Sequence, residues 1–422
     1  MRLNPSSKCP GLEGIPSFGN SREQVIESVV ALPRIHRRMR PKSNGSHSSR
    51  PQSSAVSLSA PKPLKLVILG LSITSSWGNG HATTYRGLVR ELSARGHEVL
   101  FLERDLEWYA KNRDLPKPPY GRTILYRSLA GLQRRFATTV READCVIVGS
   151  YVQDGAAIGR WVTHIAEGVT AFYDIDTPVT LARLEHGDID YLSRSLIPRY
   201  QLYLSFTGGP TLRRLEKHFG SPMARPLYCS VDPALYHPQT TELKWDLGYM
   251  GTYSDDRQPA LDRLLLEPAD RWSEGRFVVA GPQFPKRIKW PPNVKRIVHL
   301  SPARHRAFYN AQRFTLNLTR TRMIEAGYSP SVRLFEAAAC GTPIISDYWE
   351  GLEEFFQPDE EILIARSGKD TLRHVKTLSE ADRHLLGERA RARVMAEHTA
   401  KHRAAQLENY VLELLSKQAT VA

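Results

Sequence analysis

Short apolar runs alternate with amphipathic segments along most of the chain after residue 62. The first run, residues 65–70, is rich in β-branched side chains and ends in glycine, which is typical of a buried parallel strand. A Gly-containing loop, an amphipathic segment over 82–95 and a second apolar run over 98–102 follow. This order predicts a β-α-β unit with short connections, the usual start of a doubly wound sheet.

The same alternation continues to the C-terminus and restarts once. In the first half we predict further strands at 145–149, 170–174 and 202–206, with helices at 158–167 and 210–218. After a crossover near 228–238, the second half shows strands at 246–251, 276–281, 314–318 and 343–346, with helices at 259–266, 303–310, 332–340 and 380–415. The prediction is an α/β protein with two Rossmann-like doubly wound parallel-sheet domains, residues 63–232 and 233–399, facing each other across a cleft.

Residues 1–62 differ from the rest because they are rich in Ser, Pro and Arg. Such a composition buries too little apolar surface to offset chain entropy, so we predict a disordered leader. It is either a genuine tail or an over-extended gene start, since Met39 offers an internal start.

Composition narrows the class of protein only a little. The net charge of +14 is compatible with nucleic-acid binding, but residues 1–60 hold nine Lys/Arg against three Asp/Glu, and the remaining excess forms no basic stripe. A basic cleft also suits a diphosphate donor or an anionic acceptor. We find no apolar run of the roughly 20 residues needed to cross a bilayer and no signal peptide, and we predict a cytoplasmic protein without a transmembrane segment.

The four cysteines have no paired spacing, so neither a disulfide framework nor a zinc site is indicated. Cys145 and Cys340 lie in apolar runs and are predicted to be small buried hydrophobic residues.

The loop after the first strand contains Gly78, Asn79, Gly80 and His81. Its glycines allow a ligand to approach the backbone, and the helix that follows offers free N–H groups to an anion. His81 is a candidate general base, because an imidazole titrates near neutral pH. The alternative is an N-cap histidine that only orders the loop, and the Gly-x-Gly pattern itself can be a structural turn.

Asp174 and Asp176 leave the end of a predicted strand, where the cleft is expected. They are two residues apart and therefore lie on the same side of an extended chain. Binding acceptor hydroxyls, orienting His81 and acting as the base are all compatible with this position. Asp176 or Thr177 can instead cap the next helix, in which Pro178 follows. Thr207, in a later Gly-rich loop, either lines the acceptor side or turns the chain.

The strongest signal is the segment 328–346, in which Arg333 and Glu336 lie three apart near the start of a predicted helix. A helix N-terminus attracts phosphate, an arginine adds a charged donor, and a glutamate can accept both hydroxyls of a ribose. The alternative is an ordinary surface Arg–Glu pair.

With these residues the chain resembles the GT-B glycosyltransferases, and most closely the bacterial spore-maturation protein CgeB-like family. The resemblance runs from about residue 65 to the C-terminus. Residues 334–345 are similar to the donor-site helix of retaining GT-B enzymes, residues 229–238 to their interdomain segment, and residues 251–257 to the loop whose basic residue contacts the donor diphosphate.

The resemblance implies a role for each matching residue. Glu336 would bind the donor ribose, and Arg257 with Arg333 would neutralise the diphosphate. Residues 328–331 would lie near the sugar, and the first domain would face the donor through its glycine loop. The donor-binding residues expected in this way are Gly80, Arg257, Tyr328, Ser329, Ser331, Arg333 and Glu336; the catalytic candidates are His81 and Asp176; and the acceptor-side candidates are Asn79, Asp174 and Thr207. A C-terminal helix at about 400–417 would cross back onto the first domain.

One position departs from the family pattern. Retaining relatives carry two glutamates separated by seven residues, and here Tyr328 stands at the earlier position. The resemblance therefore leaves the stereochemical outcome open. It also implies no bound metal and no cofactor, and the Asp174–Asp176 spacing, which is that of a metal-binding DxD motif, lies in the wrong domain for one.

We predict a metal-independent glycosyltransferase of hexosyltransferase type. It would use a nucleoside diphosphate sugar and an unidentified saccharide or other hydroxyl acceptor, without a specific nucleic-acid partner, in surface or spore-coat polysaccharide synthesis. The alternatives are a GT-B-like nucleotide-sugar epimerase and a degenerate, non-catalytic glycan-binding or assembly protein. A dinucleotide oxidoreductase would need a complete glycine fingerprint, which the sequence lacks.

Overall fold

The computed structural model of the protein describes residues 62–76, 80–187 and 189–421. The predicted leader, residues 1–62, lies outside this part of the chain except for its last residue. Two parallel sheets organise the described residues, one of seven strands and one of six. The prediction of two consecutive Rossmann-like doubly wound domains is confirmed.

The N-terminal domain has the strand order β3-β2-β1-β4-β5-β6-β7. Its elements are β1 (Lys65–Gly70), α1 (His81–Ala94), β2 (Glu98–Arg104), α2 (Glu107–Ala110), β3 (Arg122–Tyr126), α3 (Leu129–Arg141), β4 (Cys145–Gly149), α4 (Gly155–Ile165), β5 (Val169–Asp174), α5 (Thr177–Leu184), β6 (Leu202–Ser205), α6 (Pro210–Lys217) and β7 (Ala224–Pro226).

The C-terminal domain has the order β10-β9-β8-β11-β12-β13. Its elements are β8 (Trp245–Met250), α7 (Gln258–Leu261), α8 (Glu267–Arg271), β9 (Phe277–Ala280), β10 (Val294–Ile297), α9 (His305–Asn310), β11 (Gln312–Asn317), α10 (Thr321–Ala326), α11 (Val332–Ala339), β12 (Ile344–Ser346), β13 (Leu363–Ile364), α12 (Gly368–Thr377), α13 (Glu380–Glu397) and α14 (Ala400–Val421). A π-helical turn, Asp262–Leu266, joins α7 to α8.

Strand order reverses once in each sheet, between β1 and β4 and between β8 and β11. These are the points at which a ligand finds a crevice at the carboxyl ends of the strands. Strands β4 and β5 are buried along their whole length, which explains their unbroken apolar sequences. At the end of β1, Gly70 is required because a Cβ there would lie 2.3 Å from the ring of Phe101.

The four strands that the sequence pattern did not predict are β3, β7, β10 and β13. Each lies at an edge of its sheet, and β3 and β10 are partly exposed. An edge strand packs on fewer neighbours and needs fewer apolar residues, so periodicity gives it a weak signal.

Helix α14 returns from the C-terminal domain and packs on α1. A Cβ at Gly87 would lie 3.0 Å from the Cβ of Ala400, which shows how closely the two helices approach. Glu408 of α14 forms an ion pair with Arg95, and the Tyr410 hydroxyl donates to the carbonyl of Pro226 at 3.2 Å. One continuous hydrophobic cluster extends from the first sheet through α14 to the second, so the two domains share a core.

Cys145 and Cys340 are buried free thiols, as predicted. Every helix among the described residues is either too short or too polar to span a lipid bilayer.

Candidate functional site

The two domains are in direct contact through the loop that follows β6 and the loop that joins α10 to α11. The amide of Gly208, after β6, donates to the carbonyl of Tyr328 at 3.0 Å. The hydroxyls of Thr207 and Ser329 lie 2.9 Å apart. We call these contacting loops, residues 207–209 and 328–329, the domain seam. It closes one side of the cleft.

His81, Tyr151 and Asp176 form a connected set on the N-terminal side of the cleft, called the His81 group below. The rings of His81 and Tyr151 meet edge to face with their centroids 5.4 Å apart. The Tyr151 hydroxyl donates to Asp176 Oδ2 at 3.1 Å. Tyr151 has a φ of 62°, a left-handed conformation that is uncommon for a large side chain and often marks a functional site.

Tyr151 links the two catalytic candidates, although it was not predicted from the sequence. Its position, two residues after the carboxyl end of the buried strand β4, could have indicated a place in the cleft. His81 itself begins α1 and Gly80 is the N-cap, so the alternative of an N-cap histidine is wrong. Gly80 is exposed, and a Cβ at this position would meet no described atom within 4 Å.

Burial changes the protonation of both candidates. It lowers the pKa of His81 to about 4, so the imidazole is neutral at pH 7 and able to accept a proton. Burial raises the pKa of Asp176, while the positive charge of Arg320 opposes that rise. The cleft therefore holds a neutral imidazole and a carboxylate paired with a cation.

Asp176 occupies the N-cap position of α5, but its side chain makes no capping hydrogen bond. Its carboxylate instead faces Tyr151 and lies 3.9 Å from the guanidinium of Arg320, across the cleft. The predicted cap position is therefore confirmed for the backbone of Asp176, and its side chain is used elsewhere. About a fifth of the side chain stays exposed, which leaves it accessible from the cleft.

Asp174, only two residues earlier, is entirely buried. Its carboxylate accepts hydrogen bonds from the hydroxyls of Tyr203 at 2.6 Å and Thr180 at 2.9 Å, and from the Asp176 amide at 3.2 Å. Burial raises its pKa to about 6. Contrary to the prediction of an acceptor contact, this residue has no surface toward the cleft and orders the loop that carries Asp176.

Of the other two acceptor-side candidates, the structure describes one. Thr207 is fully buried in the domain seam. Asn79 lies outside the described residues.

Three arginines of the C-terminal domain, Arg257, Arg320 and Arg333, form the arginine cluster opposite the His81 group. The Arg257 guanidinium donates to the carbonyl of Thr252 at 2.6 Å. Burial lowers the pKa of Arg257, and the positive charges of Arg333 and Arg320 lower it further. Cations that are held together in this way against their mutual repulsion form a site for an anion.

Arg320 and Arg333 are positioned by the carboxyl end of β11. Arg333 donates to Asn317 Oδ1 at 3.0 Å and lies over the ring of Tyr249. Arg320 lies 3.5 Å from a carboxylate oxygen of Asp256 in addition to its contact with Asp176. Arg320 was not predicted from the sequence, although it lies three residues after the last residue of β11.

Glu336 is buried, with 4% of its surface exposed. The Tyr309 hydroxyl donates to its Oε2 at 3.0 Å, and the Tyr236 hydroxyl is a second neighbour. Burial raises the pKa of this carboxyl group, and the nearby positive charges oppose the rise. Although Arg333 and Glu336 share a helix, they contact different partners. Glu336 is in contact with two tyrosine hydroxyls.

Tyr328 belongs to the domain seam. Its φ is 47°, and its ring lies between Gly209 and Gly351, at each of which a Cβ would come within 2.3 Å of a ring atom. Of the neighbouring candidates, Ser329 completes the seam and Ser331 donates to Asn317 Oδ1 at 2.7 Å, beside Arg333. The residue that replaces the first glutamate of retaining relatives thus packs between the domains.

Known proteins share a sequence family with part of this chain and a fold with most of it. Residues 257–409 match a protein family described as "Glycosyl transferase-like". Sucrose-phosphate synthase from Thermosynechococcus elongatus superimposes with a TM-score of 0.60 at 14% identity, over 83% of this chain and 99% of that chain. HepE of Anabaena, solved with UDP, gives 0.62 at 13% identity, over 83% and 100%. The chain has the GT-B fold.

A third GT-B structure, an α-glucosyltransferase in complex with UDP and a 13-mer DNA, gives a TM-score of 0.61 at 12% identity, over 83% of this chain and 100% of that chain. No curated protein sequence matches the chain. The family match includes the whole arginine cluster and Glu336. Together these findings support a GT-B glycosyltransferase, and the CgeB-like subfamily stays a prediction.

The described residues contain no group of three His, Cys, Asp or Glu side chains arranged to hold a metal ion.

Proposed function

We propose that the chain transfers a hexosyl group from a nucleoside diphosphate sugar to a hydroxyl of an acceptor. The observation that carries this proposal is the arginine cluster lying directly across the cleft from the His81 group, joined to it by the 3.9 Å contact between Arg320 and Asp176. One side offers charge for a leaving diphosphate and the other offers groups that accept a proton.

In the reaction, the acceptor oxygen forms a bond to the anomeric carbon of the sugar as the bond from that carbon to the diphosphate breaks. The hydroxyl proton passes to the His81 group, and the nucleoside diphosphate leaves with the bonding electron pair. The arginine cluster stabilises the charge that develops on the leaving oxygen. Because three guanidinium groups supply this charge, we propose that transfer needs no divalent cation.

Within the His81 group, the two candidate proton acceptors at pH 7 are neutral His81, whose pKa burial lowers, and the carboxylate of Asp176, whose pKa burial raises. Tyr151 keeps them in one hydrogen-bonded and packed arrangement. Arg320, a member of the arginine cluster, pairs with Asp176 in the present structure, and we propose that it turns to a bound diphosphate.

We propose that Glu336 binds the donor ribose. A carboxylate has about four acceptor positions, and the hydroxyls of Tyr309 and Tyr236 use two of them. A ribose hydroxyl can therefore donate to a remaining position of the Glu336 carboxylate.

Uridine diphosphate sugars are the donors to examine first. HepE has been solved with UDP-glucose and the α-glucosyltransferase with UDP-glucose and DNA, which makes UDP-glucose a reasonable first ligand for this chain. The resemblance to the CgeB-like family further suggests a cytoplasmic enzyme of surface or spore-coat polysaccharide synthesis.

The test is thermal unfolding with UDP, UDP-glucose and other nucleotide sugars, in the absence of divalent metal. A ligand that binds only the folded state at 100 times its Kd stabilises it by about 2.7 kcal/mol. Wild type and a control, Arg373→Gln on the exposed face of α12, should be stabilised equally, whereas Arg257→Gln and Glu336→Ala should not.

If no nucleotide shifts the wild-type unfolding temperature at millimolar concentration, the donor proposal is wrong. Release of free UDP that depends on an added acceptor would distinguish transfer from epimerisation.

A further inference from the structure

A second concavity lies beside the cleft, between helices of the two domains. It is a cavity of about 470 Å³ lined by α5 and α6 of the N-terminal domain and α10 of the C-terminal domain. Ligand sites for small molecules have volumes of roughly 300–1,000 Å³. Its apolar wall is formed by Pro178, Leu181 and Pro210. The space is sufficient for a monosaccharide or a disaccharide.

The polar part of this lining is mainly cationic. Arg214 is paired with Glu185, and Arg322 lies 3.9 Å from Glu325, so these charges are compensated. The side chains of Arg213 and Lys217, one turn apart on α6, make no hydrogen bond or ion pair with another residue in the described part of the chain. Two cations next to an apolar wall produce a positive potential that attracts an anion.

Residues that line the cavity are close in sequence to residues of the cleft. Pro178 lies two residues after Asp176, and Arg322 lies two residues after Arg320. Pro210 directly follows the glycine of the domain seam. Each lining helix therefore starts at a loop that carries a residue of the cleft or of the domain seam.

We propose that this cavity binds the anionic group of the acceptor, a phosphate or a carboxylate carried on a saccharide. The inference rests on the proposed transferase function and adds a substrate class to it. The donor diphosphate has its own cations in the arginine cluster, so the charges of α6 are available to another ligand. The lining contains no Phe, Tyr or Trp on which a neutral sugar ring would stack, and this favours recognition by charge.

The experiment compares glucose, glucuronic acid and glucose 6-phosphate, which share a ring and differ in charge. Binding is measured by saturation-transfer NMR and calorimetry in the presence of UDP. The variants are wild type, R213E/K217E, and the control R134E/R160E, which makes the same change of charge at exposed arginines on α3 and α4. The milder R213Q/K217Q variant removes the two cations without introducing negative charge.

We expect both anionic sugars to bind wild type and control more tightly than glucose. R213Q/K217Q should weaken their binding about tenfold, and R213E/K217E should abolish it, since two exposed ion pairs are lost. Salt should weaken the wild-type interaction as well. The relative affinity of the phosphate and the carboxylate identifies which anion the acceptor carries.

Equal binding of glucose and the charged sugars, or binding that is unchanged by charge reversal, would overturn the cavity proposal. UDP binding in the same samples separates this failure from that of the proposed function. If UDP binds and no anionic sugar does, only the cavity proposal fails. If UDP does not bind, the donor proposal itself fails.

Discussion

The two sides of the cleft differ in how their functional groups are held. In the arginine cluster of the C-terminal domain, like charges are forced together, and each guanidinium keeps a carbonyl, amide or carboxylate neighbour that an anion can supplement. In the His81 group, the side chains contact one another, and burial sets the protonation of each. The first arrangement suits the binding of a charged leaving group, and the second suits proton transfer. The two sides should therefore fail differently when they are mutated.

The largest expected effect is on turnover, from substitutions in the His81 group. His81→Ala and Asp176→Asn should each lower kcat by about 10²–10⁴-fold, because a positioned proton acceptor contributes about that much. UDP affinity should change little, since the proposed nucleotide site lies on the other side of the cleft. Steady-state kinetics and calorimetric titration of UDP measure the two quantities separately. Full kcat in both variants would remove the catalytic assignment.

Arg320→Gln should lower kcat/KM by about 10²–10³-fold, the usual cost of removing one group that stabilises a developing negative charge. Unlike the His81 group variants, it should also weaken UDP binding. Arg373→Gln, an exposed arginine in the same domain, is the matched control. Loss of turnover with normal UDP affinity would mean that Arg320 acts only through Asp176. Arg320 would then belong functionally to the His81 group.

Gly209→Ala tests whether the domain seam holds the two sides in register. The added Cβ would lie 2.3 Å from the Tyr328 ring, at a backbone φ of 53°, so we expect a loss of about 1–3 kcal/mol in unfolding free energy. Chemical denaturation gives this value. In the double variant Gly209→Ala/Tyr328→Ala the clash is absent, and the second substitution should be less damaging than Tyr328→Ala alone. Strict additivity would indicate that ring and glycine do not interact.

The smallest expected effect concerns the pH profile of kcat/KM, which should show no titration of His81 near neutral pH. The folded pKa of His81, about 4, is lower than that of an exposed imidazole, so the neutral base persists as pH falls and is lost only as pH passes through about 4. Between pH 5 and 8 we expect no titration from this residue. A limb near pH 6.5 that disappears in His81→Asn would show that the ring is solvated in the working enzyme.

The positions of the central strands along the chain follow from local sequence. Runs such as 145–149 and 170–174 are unbroken and apolar because parallel strands in the middle of a sheet are buried on both faces. Arg333 and Glu336 were also predicted to lie near the start of a helix, and α11 begins at Val332. Edge strands β3 and β10 gave no such pattern, because exposure relaxes the demand for apolar residues.

Tertiary structure decided the rest of the site. Asp174 and Asp176 have equivalent sequence signals, yet Tyr203 and Thr180 bury the first, while Arg320 from the other domain faces the second. Tyr151 and Arg320 acquire a role only through contacts with residues at least 25 positions away. Local sequence determines which segments form strands and helices, because periodicity and propensity act over a few neighbours. Which polar side chains reach the cleft depends on how two domains pack, and that is settled by the long-range contacts of the folded chain.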